Sequence, residues 1–201
     1  MTGILKDIQR AKKDATQLFV DRSKMQFHIE HITDRLVDDL GNETFFHVPA
    51  EKENYCRKND LFGPDVGKKF PKAIEDLTNA GTAYALSLNT SCVFHLMRVM
   101  EHCVQRFGRK LKVTINVDKE SWANIMDHVN NAVKGMPAGR HAKISQNKKK
   151  ERYSLAAVRL DHVRIVWRND TMHPKATYDE KEALEILTGV GAFIKSIVTL
   201  V

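Results

Sequence analysis

A chain of 201 residues, 42% of them hydrophobic, is long enough for one domain with its own core, and that fraction excludes disorder throughout. The net charge of +7 permits a polyanionic partner without requiring one. No apolar run approaches the ~20 residues that span a bilayer, and the opening Met1-Thr2-Gly3-Ile4-Leu5-Lys6-Asp7 lacks the basic-then-apolar layout of a secretory leader. A cytoplasmic protein with no membrane contact is therefore expected.

Residues 3–40 read as one long helix. Ile4, Ile8, Ala11, Ala15, Leu18, Met25, Ile29, Ile32 and Leu36 recur at steps of three and four, interrupted by Arg22. So narrow a stripe suits a helical partner, in the same chain or another copy. Gly41-Asn42 supplies a stop. Residues 42–69 hold Pro49, Gly63-Pro64 and Gly67 among aromatics and read as an irregular connector, with one helical turn near 51–58.

Five further helices are predicted over residues 70–201. The first runs from Pro71, a favoured first helical residue, to about Leu86. The second follows the caps Asn89-Thr90-Ser91, covering Cys92–Phe107 and closing at Gly108. The third spans Lys119–Lys134 and ends at Gly135-Met136-Pro137. Residues 137–150 are polar and basic and read as a loop. The fourth runs from Glu151 to about Thr171, where Pro174 stops it, and the fifth from Glu180 to about Leu200. Asp179 and Glu182 have the spacing of a capping box there. The expected fold is all-α, an up-and-down helical bundle preceded by a long helical arm over residues 1–41. Its core is expected to hold Phe94, Met97, Val104, Trp122, Ile125, Val129, Leu155, Val158, Val163, Val166, Ile186, Leu187, Val190, Phe193 and Ile197. The three cysteines, Cys56, Cys92 and Cys103, form no C-x-x-C pair and read as small apolar side chains.

The chemistry concentrates in Val166-Trp167-Arg168-Asn169-Asp170-Thr171-Met172-His173-Pro174. Pro174 disfavours helical geometry at His173, so the chain is expected to unwind there and fold His173 back beside Arg168. A permanent cation next to a group that exchanges protons near neutral pH suits cleavage of an RNA phosphodiester by its own 2′-hydroxyl. The plainer reading is that His173 caps a helix C-terminus while Arg168 pairs with an acid. On the second helix, His95, Arg98 and His102 form a polar stripe bordered by Ser91 and Glu101. It is either the solvent face of a bundle helix or a supporting wall for Arg168 and His173. Two histidines seven apart, with no carboxylate cluster, do not make a zinc site, and neither metal nor cofactor is expected. Arg140, Lys143, Lys148, Lys149, Lys150 and Arg152 either solvate a connector or grip a nucleic-acid backbone. Phosphate loops, serine elbows and H-E-x-x-H helices are absent.

The R-N-x-x-x-H spacing of Arg168, Asn169 and His173 resembles the signature of the HEPN family. His173-Pro174, Thr177-Tyr178, Glu182-Ala183 and the upstream Ala80-Gly81 and Ser91–Glu101 stretches extend the likeness over residues 70–200. These are helical bundles, many of them metal-independent endoribonucleases of toxin–antitoxin, antiphage and RNA-processing systems. The resemblance implies that Arg168 binds the scissile phosphate, that His173 is the general acid or base, and that Asn169 orders the site. It implies a homodimer in which each copy contributes one motif, an RNA substrate, and a possible antitoxin or regulatory protein. Tyr178 lies five residues after His173, whereas one toxin subgroup has its tyrosine two residues after. The family also holds non-catalytic modules that bind RNA, nucleotide or protein, and a helical adaptor docking through residues 1–40 is a third reading.

Overall fold

The computed structural model describes residues 2–16, 22–165 and 177–201. Among these every regular element is helical and no strand forms. The chain divides into two compact units, Met1–His47 and Val48–Val201.

The first unit holds α1 (Thr2–Thr16) and α2 (Arg22–Gly41). Arg35 of α2 pairs with Asp7 of α1, and a Cβ added at Gly3 would touch the Arg35 guanidinium. In a continuous helix residues 7 and 35 would stand about 42 Å apart. The chain therefore doubles back, and the single long helix expected over 3–40 is two helices. The three-and-four spacing that suggested one rod serves equally for two helices packed side by side. No side chain of α2 is buried, and Phe27, Ile29 and Val37 stand exposed.

The second unit opens with a 3₁₀ turn at Ala50–Tyr55, within the turn expected near 51–58, then α3 (Pro64–Lys69) and a second 3₁₀ turn at Pro71–Ala73. This stretch is no mere connector. Phe62, Val66 and Phe70 are buried in the core. Gly191 faces the Phe62 ring so closely that a Cβ would lie 2.7 Å from it, and one at Gly81 would lie 2.5 Å from the Tyr55 carbonyl. Both glycines let backbone and ring approach where any side chain would intrude. Lys52 is buried by this same stretch, its Nζ 2.8 Å from Glu180, hydrogen-bonded to Ser87 Oγ at 3.2 Å and 4.9 Å from the Tyr84 ring centre.

The bundle proper comprises α4 (Ile74–Ala85), α5 (Asn89–Lys110), α6 (Trp122–Lys134), α7 (Ile144–Val163) and α8 (Glu180–Ile197). α5 is its axis, packing against α4, α6 and α8. One face, from Val93 through Leu96, Met100 and Val104 to Phe107, is sealed from solvent. Gly108 does not close α5. The helix runs through it, because the missing Cβ leaves room for Val117 and Ile125, which would stand 3.1 and 3.3 Å away. Ser121 caps α6, its hydroxyl accepting from Asn124 N. The expected capping box opens α8: Asp179 accepts from Glu182 N at 2.8 Å and Asp179 N donates to Glu182 at 2.9 Å.

Two expectations about α7 are corrected. It begins at Ile144, so residues 144–150 are helix and not loop. The polar, basic composition made the run read as loop, and lysines are unfavourable beside a helix N-terminus. Yet Lys, Gln and Glu are good helix formers, and Gln146 accepts from Lys143 N at 2.9 Å while Asn147 clasps Gly139 N at 2.8 Å. Leu155 and Val158, assigned to the core, are 50% and 66% exposed, and Phe94 of α5 is 38% exposed. Burial falls instead to Tyr153, Ala156, Ala157 and Leu160, since small alanines let α7 lie close to its neighbours. Val166, also expected in the core, lies outside the described residues.

Cys92 and Cys103 are buried and Cys56 is partly open, all three as free thiols. Burial pushes the Cys92 thiol up to about 12 and raises that of Cys103 as well. Native protein treated with iodoacetamide at mildly alkaline pH is expected to be labelled at Cys56 alone, because the thiolate is the nucleophile. Peptide mass mapping checks this, and rapid labelling of Cys103 would contradict the packing of α5.

Candidate functional site

The described part of the candidate site grows from one buried carboxylate. Asp76 lies in the first turn of α4, and its side chain is only 7% exposed. Three residues of α5 converge on it. His95 Nδ1 is 2.9 Å from Oδ1, Arg98 Nε donates to the same oxygen at 2.8 Å, and His102 Nε2 stands 3.8 Å from Oδ2. Steps of three and four along α5 bring these heads onto one helical face, and α4 packs along that face.

A buried carboxylate is tolerable only when it is partnered: Arg98 and His95 share Oδ1 in hydrogen bonds, while His102 stands near Oδ2 beyond hydrogen-bond reach. The hydrogen bond to Asp76 raises the Arg98 pKa, so that cation is fixed. With Nδ1 committed to Asp76, His95 presents Nε2 as its remaining ring nitrogen. A carboxylate holding an imidazole in one orientation is the arrangement that prepares histidine for proton transfer. Arg98 is itself 54% exposed, so part of its fork stays open to an anion. Ser91 is exposed and Glu101 half-buried on the same side of α5.

Asp76 escaped sequence reasoning because an acid in a helix's first turn normally complements the dipole, as Glu75 beside it does. One signal was available. Ala73, Asp76, Ala80 and Ala83 recur at steps of three and four, placing a carboxylate on an otherwise apolar seam.

Arg168, Asn169 and His173 lie outside the described residues. Their described neighbours are placed. Tyr178 N donates to Thr90 Oγ1 at 3.1 Å, so the chain resumes at the N-terminal turn of α5, one turn before His95. Among the described residues no cluster of histidine, cysteine and carboxylates is fit to hold a metal ion.

The basic residues ahead of α7 divide. Arg140 and Lys143 are exposed in the turn before the helix, and Lys148 and Lys149 are exposed on it. Lys149 also reaches toward the Tyr153 ring, at 5.9 Å. Lys150 is occupied, donating to the Lys134 and Met136 carbonyls at 2.8 and 3.1 Å, and so ties off the end of α6. Arg152 donates to Thr199 Oγ1 at 2.7 Å and staples α7 to the residues after α8. These last two have partners within the fold, whereas the other four present exposed side chains.

No family model matches the chain, and no curated protein or solved structure matches it significantly.

Replacing Asp76 by alanine is expected to lower stability by about 1–3 kcal/mol, the range for losing hydrogen bonds to a charged group. The loss stays below that for breaking a sealed ion pair, because Arg98 is half exposed and resolvates. Urea denaturation checks it, and an unchanged midpoint would contradict the anchoring role.

Proposed function

We propose that the protein is a metal-independent endoribonuclease of HEPN type that cleaves RNA by attack of the adjacent 2′-hydroxyl. In this reading Arg168 binds the scissile phosphate and offsets charge developing on its oxygens. His173 exchanges the proton with the attacking or leaving oxygen, and Asn169 orders the segment. The observation that carries the reading beyond the motif is the Asp76-centred group. Tyr178, five residues beyond His173, is tied to the first turn of α5, and the next two turns present His95 and Arg98, both anchored on Asp76. An oriented imidazole and an anchored guanidinium there are the supporting groups that a phosphate-cleaving site uses.

The homodimer belongs to the same proposal. Leu155 and Val158 on α7 and Ile165 just beyond its end are half or more exposed, at steps of three and seven, with His162 between them. A groove of about 440 Å³ lies beside them, lined by Val158, His162, Ala192 and Phe193. A further step of three along the sequence from Ile165 reaches Arg168. An exposed apolar face on α7 supports a second copy docking there, and in such a dimer two motifs would share one cleft. A role as a toxin or antiphage effector, restrained by an antitoxin or regulatory protein, completes the proposal.

The test is cleavage of an unmodified RNA in EDTA beside the same RNA fully 2′-O-methylated. Cutting of the first and not the second is expected. Cutting of both, or loss of all cutting on adding EDTA, would overturn the mechanism. Salt-sensitive binding with neither RNA cut would favour the non-catalytic module.

A further inference from the structure

The polar stripe of α5 does not end at His102. Arg106 and Arg109 continue it at steps of four and three, so His95, Arg98, His102, Arg106 and Arg109 share one face over about 21 Å of helix. At its C-terminal end this face opens into a cleft of about 100 Å³ lined by Lys69, Phe70, Pro71, Lys72, His102, Arg106 and Arg109. An adjoining cleft of about 190 Å³ shares Arg106 and Arg109 and adds Lys110. The first cleft has four Lys or Arg side chains and no carboxylate in its lining. Asp118 sits beside it, paired with Arg109, and Lys72 and His102 act on the same carboxylate, holding it below the usual range after the larger effect of Arg109. Lys69 donates to the Val201 carbonyl at 2.7 Å. Lys72 and Arg106 make no hydrogen bond or ion pair among the described residues, and both are exposed.

We infer that this cleft binds phosphodiester groups of the RNA and that the cationic face of α5 is the track along which the strand runs to the Asp76 end. The inference rests on the endoribonuclease reading for the identity of the strand and on the cleft alone for its chemistry. Lys72, near Asp118 but without a hydrogen bond or ion pair among the described residues, and Arg106 line one notch with like charge, and an anion seated between them relieves their repulsion. A phosphate entering the notch displaces water from it. Phe70 is only 3% exposed and offers no platform for a base, and the His102 ring is engaged with Asp76, so contact is with the backbone and is blind to sequence.

The experiment measures binding of 2′-O-methylated oligouridylate, which cannot be cleaved, across a salt series. The proteins are wild type, the Lys72→Gln/Arg106→Gln double variant and the charge-preserving Lys72→Arg/Arg106→Lys variant. Loss of two phosphate contacts should flatten the log–log salt slope by about 1.4 and weaken binding about tenfold near physiological salt, while the charge-preserving variant binds as wild type. Poly-glutamate at equal charge should compete poorly, and inorganic pyrophosphate should compete in wild type but not in the glutamine variant. An unchanged slope in the glutamine variant, or poly-glutamate competing as well as RNA, would overturn the inference. Wild type that binds by this slope yet never cuts cleavable RNA would sink the nuclease reading and leave the cleft standing.

Discussion

The His173→Ala protein is expected to cleave RNA about 10²–10⁴-fold more slowly than wild type, the span lost when a positioned acid or base is removed. Arg168→Ala should cost about 10²–10³-fold, as for removal of one donor to a developing oxyanion. Arg168→Lys should recover only part of this, because an ammonium cannot offer the two parallel donors of a guanidinium. Each rate is read under single-turnover conditions with EDTA present, beside a thermal melt showing that the variant is folded. The melts matter because Asp76, His95 and Arg98 are held by one another across α4 and α5, leaving the bundle anchored without either motif residue. Wild-type rates in both folded variants would end the assignment.

The second large effect concerns the scaffold. Phe107 is fully buried in α5, stacked on Tyr153 of α7 with ring centres 5.5 Å apart, and the Tyr153 hydroxyl donates to the Leu200 carbonyl at 2.8 Å. Three parts of the second unit thus meet at one ring. Phe107→Ala is expected to cost about 3–5 kcal/mol through lost transfer energy and a residual cavity. Against the roughly 5–15 kcal/mol typical of a domain, that is a major share. Chemical denaturation reads it directly. A loss under 1 kcal/mol would mean that α7 does not close on α5 as described.

Much of the fold was legible because helix punctuation is local. The Asp179–Glu182 box and the start near Pro71 follow from residues within a turn of each boundary. What was not legible depends on contacts across the chain. The hairpin of α1 and α2 shares its periodicity with a single rod, and contacts such as the Asp7–Arg35 pair and the approach of Gly3 to Arg35 distinguish them. Gly108 reads as a stop until Val117 and Ile125 are seen to need its space. Leu155 and Val158 carry core chemistry on an outward face, because no periodicity says which of two apolar stripes meets α5. For the site, the α5 stripe was visible as spacing, but its purpose depended on Asp76, nineteen residues before His95 on another helix. Likewise Lys150 and Arg152 looked free in sequence and are bound to backbone and hydroxyl groups in the fold.

The proposed chemistry is cleavage of RNA by Arg168 and His173 without a metal ion. The most direct measurement is the chemistry of the ends left by wild type and His173→Ala acting side by side on mixed RNA in EDTA. The account predicts 2′,3′-cyclic phosphate ends from wild type and intact RNA from the variant. Ends bearing 3′-hydroxyl groups, or equal fragmentation by the two proteins, would contradict it.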